Sequence, residues 1–292
     1  MRHIRRVLIA LAALATVTLV LGFLGGLHAI GNSFAVFRVP NALALMMLGA
    51  LLFVTNLRLA GVFVLIGAVA LASVHSGNSA TGSGYNSPIT VYQKNLSFRM
   101  VDPAPLIADI SRANPQVLTL QEVNERTKLV LEALADDLPT QLLCPFIAVG
   151  AVAVATKWPL IEGTEICQPA QGLVGFQVQT TEGPLWLISI HLHWPWPHQQ
   201  AQQLDQIRPV LAALDGPIII GGDFNMVPWA QALQSLASLT ETKPHNWQNS
   251  FPRFSPLVAL PIDNVLSAGT ATVALRPELG SDHRGLVVQI SR

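Results

Sequence analysis

Acidic side chains are missing from the first third of this sequence: not one Asp or Glu precedes Asp102. The only Lys or Arg residues before position 88 are Arg2, Arg5, Arg6, Arg38 and Arg58. Five of the 17 basic residues therefore sit in an otherwise apolar head, and the remaining 12 face all 17 acids, so a formally neutral chain divides into a basic head and a body of net charge −5. A body with that balance is no basic clamp for duplex nucleic acid, whose non-specific binding draws on many Lys and Arg contacts to phosphate. Cysteine is scarce too. Cys144 and Cys167 are the only two, no Cys/His pair falls at zinc-ligand spacing, and no internal repeat is present.

Long apolar runs fill the head. Val7 to Leu24 is apolar or small throughout, follows three arginines and continues to Leu27. That is longer than the apolar core of a usual secretory signal, and further apolar segments follow, so an uncleaved helix is expected. The head, residues 1–75, reads as three transmembrane helices at about 7–27, 39–55 and 58–75, with a tight turn at Asn56 to Arg58 sparing that arginine the membrane interior. Residues 76–87, rich in Gly and Ser, read as a flexible linker. The arginine cluster belongs on the cytoplasmic side, and three crossings then place the body outside. The expectation is a multi-pass protein of the inner (cytoplasmic) membrane with an extracytoplasmic, or periplasmic, domain at 88–292.

From Ile89 onward, short apolar strands alternate with helices. Strands are expected at 89–96, 116–120, 174–179, 185–190, 218–220, 261–266, 272–275 and 285–290, and helices at 103–113, 125–138, 198–214 and 229–236. Phe146 to Ala155 and Ile161 to Cys167 read as a hairpin about Lys157-Trp158-Pro159. That pairing would bring Cys144 near Cys167 at one end of the ladder, within reach of a disulfide if the register allows. Hairpins with a few crossover helices imply two packed sheets faced by helices.

The ends of these strands carry the chemistry. The run Ile218-Ile219-Ile220-Gly221-Gly222 stops at Asp223, with Asn225 two residues on, and its glycines allow close backbone approach. Asn95 ends one strand, Glu122 another and His191 a third, while Asp263 opens a strand and Asp282-His283 precedes the last. Each alone is as compatible with a turn or a helix cap. Together they form an oxygen-rich set with few imidazoles, which suits Mg2+ or Mn2+ rather than zinc.

These motifs, Asn95-Leu96, Leu120-Gln121-Glu122-Val123, Ser189-Ile190-His191-Leu192, Gly222-Asp223-Phe224-Asn225, Ile262-Asp263-Asn264-Val265 and Ser281-Asp282-His283, resemble in kind and order those of the endonuclease/exonuclease/phosphatase superfamily, the DNase I-like group. The resemblance runs from about residue 88 to the C-terminus. It implies a four-layer α/β sandwich, two mixed sheets flanked by helices, that hydrolyses phosphoesters with a divalent metal. By the same resemblance Glu122 holds the metal with Asn95 close by and Asp282 a further contact, Asp223 orients or deprotonates the attacking water, and Asn225 hydrogen-bonds the phosphate. His283 and His191 stabilise phosphoryl oxygens, and Asp263 fixes the His283 ring. Ser97 stands where nucleolytic members often carry an acid. Trp194 and Trp196, alternating with prolines after His191, read first as packing residues and second as a rim that meets a base, an acyl chain or the membrane interface. His193 and His198 beside them read as surface residues.

The expected activity is a membrane-tethered, Mg2+- or Mn2+-dependent phosphoesterase, acting on a phospholipid head group, nucleic acid or small phosphoester. The alternatives are an extracytoplasmic nuclease and a catalytically idle membrane scaffold.

Overall fold

Aliphatic and β-branched runs of five to nine residues, broken by Gly, Pro and Asn, leave the chain little choice but short strands. A computed structural model describes residues 2–75, 85–255 and 258–291. The helices are α1 (Arg2–Leu21), α2 (Ile30–Ala35), α3 (Arg38–Leu52), α4 (Leu57–His75), α5 (Ala104–Ala113), α6 (Leu129–Ala133), α7 (Gln200–Ala212) and α8 (Gln231–Leu239). The strands are β1 (Ile89–Asn95), β2 (Val117–Val123), β3 (Thr140–Ile147), β4 (Gly150–Thr156), β5 (Ile166–Gln168), β6 (Leu173–Thr180) and β7 (Gly183–His191). After these come β8 (Ile218–Asp223), β9 (Lys243–Pro244), β10 (Phe251–Ser255), β11 (Val258–Leu260), β12 (Asp263–Ser267), β13 (Thr270–Leu275) and β14 (Leu286–Ser291).

Two six-stranded mixed sheets result, ordered β13-β14-β1-β2-β4-β3 and β5-β6-β7-β8-β12-β9. Between them lies an apolar layer that includes Val91, Val117, Val152, Phe176, Leu187, Ile219 and Val288. A second core joins the first sheet to α5 and α6, and a third joins the second sheet to α7 and α8. This is the expected four-layer α/β sandwich. Burial follows position: β8, central in its sheet, is buried at every residue, whereas the edge strand β13 alternates exposed and half-buried.

The hairpin expected about Lys157-Trp158-Pro159 does not form. Phe146 and Ile147 end β3, which turns back into β4, and β4 is then flanked by β2 and β3 with no free edge. The chain crosses instead to the second sheet, where Leu160 bridges Val178 and β5 pairs with β6. The helix expected over 125–138 shrinks to α6, because the Asn124 side chain accepts from Arg126 N and Thr127 N and holds that entry as a turn. Three short strands, β9 to β11, were not anticipated.

Cys144 and Cys167 are bonded, with Cα atoms 5.4 Å apart. They join β3 and β5, strands of different sheets, rather than two rungs of one hairpin. The bond closes a loop between residues 23 apart, worth roughly 3 kcal/mol by the chain-entropy relation. Cys144→Ser should therefore lower unfolding stability by about that amount in denaturant titration. Identical midpoints for the variant and the oxidised wild type would contradict the bond.

In the head, α1 and α4 are long and apolar enough to cross a membrane, with hydropathies of 2.1 and 2.2, while α3 has 15 residues. The first apolar run was expected to stay helical to residue 27 but α1 ends at Leu21, where Gly22 O accepts from Arg38 Nη2 at 2.8 Å. Most of the expected linker, 76–84, lies outside the described residues. The body is nonetheless fastened directly to the head. Arg38 Nη1 donates to Trp229 O, Trp229 Nε1 to Ala35 O, Ala232 N to Asn32 Oδ1, and Ser33 Oγ to Trp196 O at 2.6 Å.

Candidate active site

Strand register assembles the site. In the second sheet His191 pairs with Asp223 across the parallel β7–β8 ladder, and Asp223 pairs with Asp263 across the antiparallel β8–β12 ladder, so three candidate site residues stand in one row. In the first sheet Asn95 pairs with Gln121 across β1–β2. Gly221 lets the two sheets close here, since a Cβ on it would lie 2.2 Å from Thr119 Oγ1 of the facing sheet.

Glu122 arrives by a different route. The β2–β4 register shifts between Leu120 and Val123, and Glu122 takes φ +57°, a left-handed conformation costly for a residue with a Cβ. Gly150 lies opposite, where a Cβ would come within 2.6 Å of the Glu122 carbonyl carbon. The bulge turns the carboxylate toward the cleft. There Oε2 accepts from Phe98 N at 2.7 Å and Oε1 from Asn95 Nδ2 at 3.2 Å.

Asn95 binds the two sheets together, since its Nδ2 also donates to Asp223 Oδ2 at 2.9 Å while its Oδ1 accepts from Ser97 N. Asp223 Oδ1 accepts from Asn225 N at 2.9 Å, and Asn225, at φ +48°, donates through Nδ2 to Leu192 O. The pair is thus both an Asx turn and a site element. His283 Nδ1 meets Asp263 Oδ2 at 2.8 Å, which leaves its Nε2 facing Asp223 Oδ2 at 3.7 Å. His191 Nε2 faces the same oxygen at 3.6 Å and Glu122 Oε1 at 4.0 Å.

The two imidazoles carry different charges. Burial disfavours the His283 cation, but Asp263 and Asp223 outweigh it and raise the ring to about 9. For His191 burial goes unopposed, and with the positive charges of His283 and His193 it pushes the ring down to about 3. His191 is therefore neutral near pH 7, and with Nε2 toward the carboxylates the proton belongs on that nitrogen. Burial likewise raises Glu122, and it raises Asp223 to about 7, against the pull of His283. Among the described residues neither carboxylate has a Lys or Arg ion partner; the basic groups beside them are the two histidines.

That shortage of counter-charge fits a cation. Atoms of Asp223, Asp263 and His283 lie within 4.8 Å of one another, but Asp263 and His283 already hydrogen-bond each other. Glu122 and Asp282, with Asn95 behind them, are hard oxygen donors open to the cleft, the type that Mg2+ or Mn2+ takes.

The cleft has a volume of about 210 Å3, and its lining includes Glu122, His191, Asp223, Asn225, Asp282 and His283. Trp194 lines it as well, its ring centroid 6.1 Å from that of Phe251. Trp196 does not: it is 48% exposed and lines a separate cavity at the junction with the head. His193 and His198, taken from sequence as surface residues, line the cleft, joined by Phe146, Ile147 and Phe251, which no motif marked. Supporting side chains were missed too. Buried Gln203 donates to His191 O and accepts from His193 N, Gln200 donates to Phe224 O, and Lys94 Nζ donates to the carbonyls of Glu278 and His283. Buried amides in a polar helix face leave no pattern to read.

The family model described as the endonuclease/exonuclease/phosphatase family matches residues 95–283. No curated protein sequence matches the chain significantly. Among solved structures the chain is similar to truncated TDP2 of Caenorhabditis elegans, with 16% identity and a TM-score of 0.53 over 70% of this chain and 98% of that one. It is similar also to the human Nocturnin catalytic domain with bound sulfate, at 18% identity and 0.53 over 70% and 93%. A third is Staphylococcus aureus beta toxin with bound magnesium ions, at 14% identity and 0.52 over 70% and 100%. At these identities the likeness concerns the fold.

Proposed function

The chain belongs to the endonuclease/exonuclease/phosphatase family, and from that premise we propose that it is a divalent-metal-dependent phosphoester hydrolase held in a membrane by its head. The observation that carries this reading is the convergence of Asp223, His191, His283, Asn95 and Glu122 within hydrogen-bond or ionic reach at one mouth of the two sheets.

Glu122 and Asp282, with Asn95 close by, would hold Mg2+ or Mn2+, which when bound supplies positive charge for the phosphoryl oxygens. Asp223, raised by burial, takes a proton from water. The water oxygen bonds to phosphorus as the ester P–O bond breaks, and the leaving alcohol oxygen takes up a proton from solvent. The His283 imidazolium and the His191 Nε2–H place donors where negative charge accumulates, and Asn225 flanks the same phosphate. Asp263 keeps His283 charged and fixes its ring.

The alkaline limb of the pH profile should report that pair. Activity requires protonated His283, so it falls as pH rises through about 9. Asp263→Asn should move this limb down toward the ordinary histidine value of 6.5. An alkaline limb unmoved in that variant would show that His283 does not set it.

The membrane reading rests on the head. The apolar side chains of Val7, Leu14, Met47, Leu65 and Val69 are 58–64% exposed, a surface that water does not favour. The C-terminal ends of α1 and α4 and the start of α3 gather at Arg38 and Trp229 beside the body. Arg2, Arg5, Arg6 and Arg58 therefore belong at the opposite end, which favours an outward-facing body in the inner membrane, and the Cys144–Cys167 bond suits that compartment. An alkaline phosphatase reporter joined after Ser76 should be active; a silent one, with a cytoplasmic reporter active, would reverse the topology.

Substrate choice is tested by a Mg2+-dependent panel of bis-p-nitrophenyl phosphate, plasmid DNA, phospholipid and inositol phosphates. Hydrolysis of none of them by folded, metal-loaded protein would reject the hydrolase reading. The cleft lining has no Lys or Arg among the described residues, which weighs against the nuclease alternative. A complete site weighs against the idle scaffold.

A further inference from the structure

We infer that the cleft takes an amphiphilic phosphoester, whose phosphate enters among Asp223, His191 and His283 while its apolar chain lies along the membrane-facing lip. The inference rests on the hydrolase reading and names the substrate class of that same site.

Three features of the body point the same way. Its exposed large hydrophobic side chains, among the described residues, are Phe98, Val101, Leu129, Ile147, Trp196 and Leu239. Scattered singly over a surface such residues need no explanation, but two of these stand at the cleft. Phe98 follows β1 and donates its N–H to the cleft carboxylate Glu122, and Ile147 lines the cleft at the β3–β4 turn. The polar centre therefore has exposed apolar side chains at its edge.

The second feature is the inside of the cleft. Phe146, Ile147, Val149, Leu192, Trp194 and Phe251 surround the acids and imidazoles, without a Lys or Arg among the described lining. A polyanion needs neighbouring phosphates neutralised, whereas a single phosphate bearing an apolar substituent needs apolar surface beside one polar point.

The third is placement against the head. One wall of the cleft is made by Trp194 and Phe251. Two residues beyond Trp194, Trp196 O accepts from Ser33 of α2. Phe251 pairs with Leu260 across the β10–β11 hairpin, and Leu260 lines an apolar cavity of about 370 Å3 with Val36, Val39, Pro40 and Leu43 of the head. Leu43 is itself 54% exposed on α3. That wall thus runs on into the apolar helices of the head, and the bonds of Ser33 to Trp196 O and of Arg38 to Trp229 O fix it there.

The test uses a series in which only the chain changes. Full-length protein in detergent micelles, with Mg2+, is given methyl, hexyl and dodecyl p-nitrophenyl phosphate at constant micelle concentration, with plasmid DNA alongside. The expected kcat/KM for the dodecyl ester exceeds that for the methyl ester by at least about tenfold, an effect that burial of a few methylene groups suffices to give. Ile147→Asn should cut the dodecyl-to-methyl ratio by at least about threefold, which separates a protein contact from simple partition into micelles. Equal kcat/KM along the series, a ratio unmoved by Ile147→Asn, or DNA cleaved faster than any ester would overturn this inference and leave phosphoester hydrolysis standing. No turnover of any ester or of DNA would remove both.

Discussion

Asp223→Asn should give a folded protein whose turnover is lower by about two to four orders of magnitude. The amide keeps the size of the carboxylate and can still accept from Asn225 N, but it cannot take a proton from water. Asp223 is buried to 1% exposure and touches Asn95, Asn225 and both imidazoles, so no other carboxylate stands in the same place. Glu122 faces His191 from farther away, at 4.0 Å. His283→Ala should cost about two orders of magnitude or more, because it removes the charged donor opposite the developing negative charge. The comparison is of kcat with thermal unfolding and metal content matched. Undiminished turnover in folded Asp223→Asn would remove Asp223 from the chemistry.

Glu122→Gln should act on metal affinity. The glutamine fits the same bulge and keeps one acceptor oxygen for Phe98 N, while the charge that attracts a cation is lost. A rise of at least about tenfold in the Mg2+ concentration for half-maximal rate is expected, with kcat recovering in part at saturating metal. Calorimetric titration of Mg2+ into both proteins separates affinity from turnover. Equal affinity in the two would place the metal elsewhere.

Much of the fold was legible because each buried strand is an apolar run that ends abruptly. Asp223, His191 and Asn95 could be read as site residues for that reason: a carboxylate, imidazole or amide directly after such a run has the sheet behind it and the mouth of the sandwich before it. His283 and Asp263 also stand at strand ends, but their pairing was legible only through motif resemblance, since residues 20 apart meet through a loop and a strand start. What stayed hidden is instructive. The bulge that aims Glu122 is a backbone register shift, and its sole trace in residue type is Gly150, distant in sequence. The β4–β5 crossing was missed because local hairpin signals do not reveal that β4 has both edges occupied. Arg38 looked like one more loop arginine, yet it is 6% exposed and bonds Gly22 O and Trp229 O. Its partners lie up to 191 residues away, beyond any local pattern, and so the fastening of body to head emerged only from packing.

The most direct measurement is release of p-nitrophenol from bis-p-nitrophenyl phosphate by purified full-length protein in 18O-enriched water, with Mg2+ and again after EDTA. The expected result is release that EDTA abolishes and Mg2+ restores, with one 18O in the phosphate product. Release that persists in EDTA, or none from folded protein supplied with Mg2+ or Mn2+, would contradict metal-dependent hydrolysis at this cleft.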